Sequence, residues 1–183
     1  MELKQYVTDA IRTESQITNI TANKTNLIAL LRMYVAIGNM IDNIKKNVFY
    51  GKPISQDVWL NLYQSAAFSA MEVQEEPLLD TETINIDPRL FHAIIGIATE
   101  STELVEAILI AIDNGTDIDH VNVREELGDL NWYQAIAIDA SNADWDKILE
   151  TNILKLKHRY PEKFTSQHAI NRDLETERTI LER

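Results

Sequence analysis

Apolar residues spaced three and four apart along almost the whole chain constrain its fold more than any other feature of the sequence. Sustained alternation of apolar and polar residues, which is typical of half-buried strands, is nearly absent. Only five glycines and four prolines interrupt the 183 residues, so long uninterrupted elements are expected. The sequence therefore predicts an all-α protein, a helical bundle of about six to seven helices.

Start and stop signals place these helices along the chain. Gly51 and Pro53 end the second helix, and Asp87 with Pro88 begins the fourth. The acidic stretch 74–87 is predicted to be a linker, which divides the chain into residues 1–80 and 81–183, packed as one compact unit. The predicted helices are 3–13, 25–48, 56–73, 88–113, 121–139, 143–160 and 168–182.

Charge and composition exclude several classes of protein. The net charge of −12 repels nucleic acid and anionic membranes, so neither is an expected partner. The absence of cysteine excludes disulfides and thiolate metal sites, and it fits a reducing cytoplasm. We find no signal-peptide pattern and no apolar run near the roughly 20 residues that span a bilayer. A cytoplasmic protein is therefore expected.

An internal repeat emerges when one half of the sequence is laid on the other. At an offset of 64 positions, Gly51 aligns with Gly115 and the stretch 27–30 aligns with 91–94. A one-residue gap then aligns Phe68 with Tyr133. A helix, a glycine stop and a second helix therefore occur twice. The alternative is that two similar helical hairpins arose independently.

Four acidic residues form the pattern that could carry chemistry. Residues three apart share one helix face, so Glu100 and Glu103 project together, as do Glu126 and Asp129 on the next predicted helix. A short connection makes the two helices antiparallel neighbours, and four carboxylates then converge on one groove. A divalent metal offsets their repulsion, and oxygen ligands favour Mg²⁺ or Mn²⁺ over zinc and copper.

These acids have two other interpretations. The first is ordinary solvated charge, but the acids stand among apolar residues, and carboxylates that face an interior need compensation. The second is a di-iron bundle, which requires Glu-x-x-His motifs that the chain lacks.

A polar and cationic stripe lies on the sixth predicted helix. Asn152, Lys155 and Arg159 recur at spacings of three and four and so share a face. Such a stripe near a metal site could clamp the outer phosphates of a ligand. The alternative is ion pairing within the helix, with Glu150 or Glu162.

Three ordered segments resemble the MazG-like nucleoside triphosphate pyrophosphohydrolases of the all-α superfamily. They are residues 98–106 with Glu-x-x-Glu, residues 125–133 with Glu-x-x-Asp, and residues 152–164. The resemblance covers about residues 90–165. It implies two tandem helical hairpins packed as a pseudo-dimer, and enzymes of this kind typically assemble as dimers or tetramers.

The resemblance also implies an activity and its residues. It implies Mg²⁺-dependent hydrolysis of a nucleoside triphosphate, NTP or dNTP, to the monophosphate and pyrophosphate. Glu100, Glu103, Glu126 and Asp129 would hold the metal and carry catalysis. Asn152 and Lys155 would contact the substrate, and the stripe adds Arg159. Nothing in the sequence selects the base, and a phosphoribosyl-ATP substrate stays open.

The first half departs from this pattern. The repeat alignment places Ala36 and Asn39 opposite Glu100 and Glu103, and it places Asn61 and Gln64 opposite Glu126 and Asp129. Amides do not supply the charge that Mg²⁺ requires. The sequence therefore predicts a degenerate, structural copy in residues 1–80. It also leaves open a second function, a catalytically weak nucleotide-binding or scaffolding protein of the same fold.

Overall fold

The computed structural model describes residues 1–76 and 79–182 and confirms the all-α class. In these ranges it contains eight helices and one two-stranded sheet, formed by β1 (Ile20–Asn23) and β2 (Thr81–Ile84). The helices are α1 (Leu3–Ile11), α2 (Lys24–Tyr50), α3 (Gln56–Glu72), α4 (Pro88–Asn114), α5 (His120–Ala140), α6 (Trp145–Arg159), α7 (Ser166–Ile170) and α8 (Leu174–Leu181).

Two predicted segments differ from the structure. The predicted linker 74–87 contains β2, and its residues 77 and 78 lie outside the described part of the chain. Strands of four residues are too short for alternation to reveal them. The tail predicted as one helix, 168–182, forms α7 and α8, because Asp173 caps a new helix by accepting a hydrogen bond from the Thr176 amide.

The two long helices α2 and α4 are built alike. Both have 27 residues, and both begin after a side-chain cap, Asn23 in α2 and Asp87 in α4. Both end at a glycine in the left-handed region, Gly51 with φ 68° and Gly115 with φ 62°. The helix–glycine–helix pattern therefore occurs twice, at the offset of the repeat in the sequence.

The chain forms two compact units whose boundaries differ from the predicted division at 80/81. Unit 1 comprises Met1–Ile20 and Asn85–Glu150, and unit 2 comprises Thr21–Ile84 and Thr151–Arg183. The termini account for the difference, since α1 packs on α5 and α7 packs on α2. Each terminal segment thus belongs with the hairpin that lies farther from it in sequence.

Close packing of α4 on α5 organises unit 1. The ring of Tyr133 lies over Gly96, and a Cβ atom at that glycine would stand 2.1 Å from the ring carbons. Ala93 and Ala135 are fully buried. Arg89, near the start of α4, donates to Glu14 and Asp139 at 2.7 Å each and so connects three segments of the unit.

A polar network anchors the α2–α3 hairpin of unit 2. The buried Asn23 side chain donates to the Gln74 side chain at 2.8 Å and to the Leu79 carbonyl at 2.7 Å. The Asn26 side chain in turn accepts from the Gln74 amide at 2.7 Å. These bonds satisfy polar groups next to the sheet and fix where the chain leaves α3.

By length and composition alone, α2 could cross a membrane. A window of 18 residues within it has a mean hydropathy of 1.4, and 11% of that window is buried. One helix of this kind is weak support for a membrane span, because core helices of soluble proteins and signal sequences pass the same test. The cytoplasmic location stays a prediction.

The close approach at Gly96 yields a stability prediction. Gly96→Ala should destabilise the protein by about 2 kcal/mol, because the added methyl group forces Tyr133 and its helix away. The matched control is Gly38→Ala in the middle of α2, where nothing lies within 4 Å of the added Cβ. That variant should be neutral or about 0.5–1 kcal/mol more stable, since alanine favours helix. Urea unfolding measures both, and equal effects would contradict this packing.

Candidate metal centre

Three of the four predicted acids come together on α4 and α5 in unit 1. One carboxylate oxygen from each of Glu100, Glu103 and Glu126 lies within 4.8 Å of the other two. Glu126 is buried with 7% of its surface exposed, Glu100 is half-buried and Glu103 is exposed. The group is therefore buried at Glu126 and open to solvent at Glu103.

The register of the hairpin explains this convergence. Tyr133 lies against Gly96, where α4 and α5 approach most closely. In an antiparallel pair, four residues forward along α4 match four residues backward along α5. Glu100 therefore lies opposite Asp129. Three residues further, Glu103 lies opposite Glu126.

Asp129 lies beside the trio, on the exposed side of α5. Its charge helps to raise the pKa of Glu100, where burial and Glu103 contribute more. It also raises the pKa of Tyr133, after burial and Glu100. All four predicted acids therefore share one electrostatic environment, although only three lie within a single short radius.

Burial and mutual repulsion raise the pKa of Glu126, with Glu103 as the strongest of the neighbouring charges. Its side chain accepts a hydrogen bond from the Asn122 amide, at 2.9 Å. No lysine, arginine or histidine among residues 1–76 and 79–182 forms an ion pair with the four acids. The carboxylates of the cluster therefore repel one another, and a bound cation would reduce that repulsion.

Two tyrosines near the cluster were missed by the sequence analysis as site residues. The Tyr6 hydroxyl donates to the Gly128 carbonyl at 3.4 Å, and burial followed by Asp129 raises its pKa. Tyr133 stands one turn beyond Asp129 on α5. Tyr133 could have been noticed from its position in the second acidic segment, whereas nothing in the sequence connects Tyr6 with a helix about 120 residues away.

The predicted cationic stripe belongs to unit 2. Asn152 and Lys155 are half-buried on α6. Arg159 forms a two-bond ion pair with Glu177, at 2.7 Å for each bond. Its partner is therefore on α8, and neither Glu150 nor Glu162, the partners considered from spacing, pairs with it in the described structure. That all three residues contact substrate phosphates stays a prediction.

The equivalent place in unit 2 has a different character. Ala36 and Asn39, which align with Glu100 and Glu103, line an open cleft of about 350 Å³ together with Leu31, Val35 and Leu62. No carboxylate lines that cleft among the described residues. Within residues 1–76 and 79–182, the acids that lie close enough together to hold a metal ion are those of unit 1.

Metal addition tests the cluster directly. At pH 7, Mg²⁺ or Mn²⁺ should raise the melting temperature by a few degrees, because the cation relieves repulsion among ionised acids. The pKa values of Glu100 and Glu126 are raised in the folded protein, so without metal the free energy of unfolding falls as the pH rises through the range in which these two acids ionise. The metal-induced increment should therefore shrink as the pH falls, because Glu100 and Glu126, whose pKa values are raised, take up protons and lose the charge that holds the cation.

The matched variants for this measurement are Glu126→Gln and Asp113→Asn. Each removes one negative charge from the hairpin, but Asp113 is exposed at the far end of α4. Glu126→Gln should weaken Mn²⁺ binding by about tenfold or more, and Asp113→Asn should leave it unchanged. Equal losses in the two variants would show that the metal responds only to net charge.

Comparisons with known proteins supply no further indication of what the cluster does. No family model, curated protein or solved structure matches this chain.

Proposed function

We propose that the chain is a Mg²⁺-dependent nucleoside triphosphate pyrophosphohydrolase. The observation that carries the proposal is the convergence of Glu100, Glu103 and Glu126 within 4.8 Å, with Asp129 beside them and no cation paired to them in the described structure. This acidic pattern also carries the resemblance to MazG-like enzymes. The three ordered segments of that resemblance provide its second support.

The donor set of the cluster fits Mg²⁺. All four side chains offer carboxylate oxygens, which are the ligands that Mg²⁺ and Mn²⁺ prefer, and the group of ligand atoms includes no imidazole or thiolate. The open side at Glu103 and Asp129 leaves room for a phosphate ligand. When bound, the ion would neutralise phosphate charge and lower the pKa of the attacking water.

The proposed reaction is attack of water on the α-phosphorus. A bond forms between the water oxygen and that phosphorus, the bond to the oxygen bridging the α- and β-phosphates breaks, and pyrophosphate leaves. A carboxylate of the cluster accepts the proton that the water loses. Asn152, Lys155 and Arg159 are the residues that we propose to contact the substrate phosphates.

A second function is favoured by the amide-containing cleft of unit 2. Half of the repeat lacks acids at the equivalent positions, so a protein that binds nucleotide without turnover, or acts as a scaffold, is the competing proposal. The intact acids of unit 1 favour the enzyme. Turnover measurements separate the two.

We further propose a cytoplasmic homodimer that binds neither nucleic acid nor membrane. Large apolar side chains on α4 are at least half exposed, including Val105 at 50%, Ile108 at 50% and Ile112 at 71%. A second copy of the chain could cover such residues. The net charge of −12 opposes the binding of nucleic acid and of anionic membranes.

Pyrophosphate release from a panel of NTPs and dNTPs tests the enzyme. Wild-type protein should release pyrophosphate and nucleoside monophosphate in the presence of Mg²⁺. Addition of EDTA should stop this release. Glu126→Gln should lower the rate by about 100-fold or more, because the buried carboxylate is a metal ligand in this proposal. Its melting temperature should stay within a few degrees of the wild-type value.

Asp113→Asn is again the control and should retain the wild-type rate. Release of orthophosphate alone would contradict cleavage between the α- and β-phosphates. Nucleotide binding without any turnover would favour the competing proposal.

A further inference from the structure

Unit 2 contains a cationic cleft. Of its positively charged side chains, only Arg159 has a role in the proposed reaction. The volume of the cleft is about 370 Å³, and it lies among the end of α2, the end of α6 and α7. Five positively charged side chains line it, in a chain whose net charge is −12. They are Lys45, Lys46, Lys52, Arg159 and Arg172.

Two acids balance these five cations only in part. Asp42, one turn back on α2, forms ion pairs with both Lys45 and Lys46. No carboxylate among the described residues pairs with Lys52. Glu177 holds both arginines, so five positive charges meet two negative ones and about three remain uncompensated.

Ion pairs hold the cations of the cleft in place. The Glu177 side chain is 4% exposed, and the two arginines lower its pKa to about 2, so it stays ionised at neutral pH. It fixes the guanidinium of Arg159, whose side chain is only 15% exposed. A cation that is partly desolvated and already oriented binds an anion more strongly than a mobile surface lysine does.

Aromatic residues that pack on one another form one wall of the cleft. Tyr50 and Tyr160 both line it, and their rings lie 5.5 Å and 5.4 Å from the ring of Phe164. The Arg159 guanidinium also lies over the Tyr160 ring, at 5.7 Å from its centre. Each tyrosine carries a hydroxyl group, which is a neutral hydrogen-bonding group, and that of Tyr160 hydrogen-bonds Arg159.

We propose that this cleft is a metal-independent binding site for a phosphoanhydride, of which pyrophosphate is the smallest example. A compact anion of three or more charges matches the uncompensated positive charge, and 370 Å³ accommodates it with room for a larger attached group. An extended polyanion such as nucleic acid would meet the acidic remainder of the surface. The cleft is lined by unit 2 alone and includes none of the four acids of the metal centre.

Calorimetric titration of the full chain with pyrophosphate, in the presence of EDTA, tests this site. EDTA removes divalent metal, so the result does not depend on whether the chain hydrolyses nucleotides. Wild-type protein should bind pyrophosphate, bind orthophosphate more weakly, and lose affinity as salt is added. Absence of pyrophosphate binding in EDTA would overturn the proposal, as would tighter binding of a short single-stranded oligonucleotide.

A pair of double variants locates the binding. Lys45→Gln with Lys52→Gln removes two charges from the cleft, whereas Lys4→Gln with Lys24→Gln removes two from side chains that do not line it. The double variant at Lys45 and Lys52 should weaken pyrophosphate binding by about tenfold or more. The double variant at Lys4 and Lys24 should weaken it by less than about twofold. Equal losses would mean that pyrophosphate responds to net charge, which would overturn the assignment. Melting temperatures within a few degrees of wild type confirm that both pairs are folded.

Discussion

The contact between Gly96 and Tyr133 is the constraint on which unit 1 depends. Because glycine has no side chain, the Tyr133 ring approaches the α4 backbone more closely than any other residue at position 96 would permit. That contact fixes both the distance between α4 and α5 and their register. With the register fixed, one turn along each helix leads to Glu100 and Asp129, and the next leads to Glu103 and Glu126.

This packing creates an electrostatic problem that a cation would relieve. Burial and neighbouring acids raise the pKa of Glu126 and of Glu100, so the ionised cluster opposes folding when no cation is present. Two half-buried acids elsewhere in unit 1, Glu14 and Asp139, instead share Arg89 as their partner. Partly buried acids that have no cation as a partner are typical of a binding site, because buried charges in a structural role are normally paired.

Much of this arrangement could be predicted from the sequence because it is local. The cap at Asp87 and the glycine stops at Gly51 and Gly115 are set by residues within one turn of each helix end. The placement of Glu100 and Glu103 on one face follows from helix geometry alone. A short connection between two helices then brings the second pair of acids opposite the first.

The features that the sequence analysis missed depend on long-range contacts. Tyr6 reaches α5 only because α1 packs there, and Arg159 finds Glu177 only because α8 returns towards the end of α6. Neither pairing leaves a periodic signal, and the same holds for the pairing of β1 with β2. The cationic cleft is missed for the same reason, since it gathers side chains from α2, from α6 and from the segment after α7.

Anomalous diffraction from crystals grown with Mn²⁺ tests most directly whether the acids of unit 1 form a metal centre. We expect an anomalous peak about 2.1 Å from carboxylate oxygens of Glu100, Glu103 and Glu126. We expect no peak among Ala36, Asn39, Asn61 and Gln64 in unit 2. A crystal with no peak at the three glutamates, or with its peak in unit 2, would rule out a metal centre formed by the acids of unit 1.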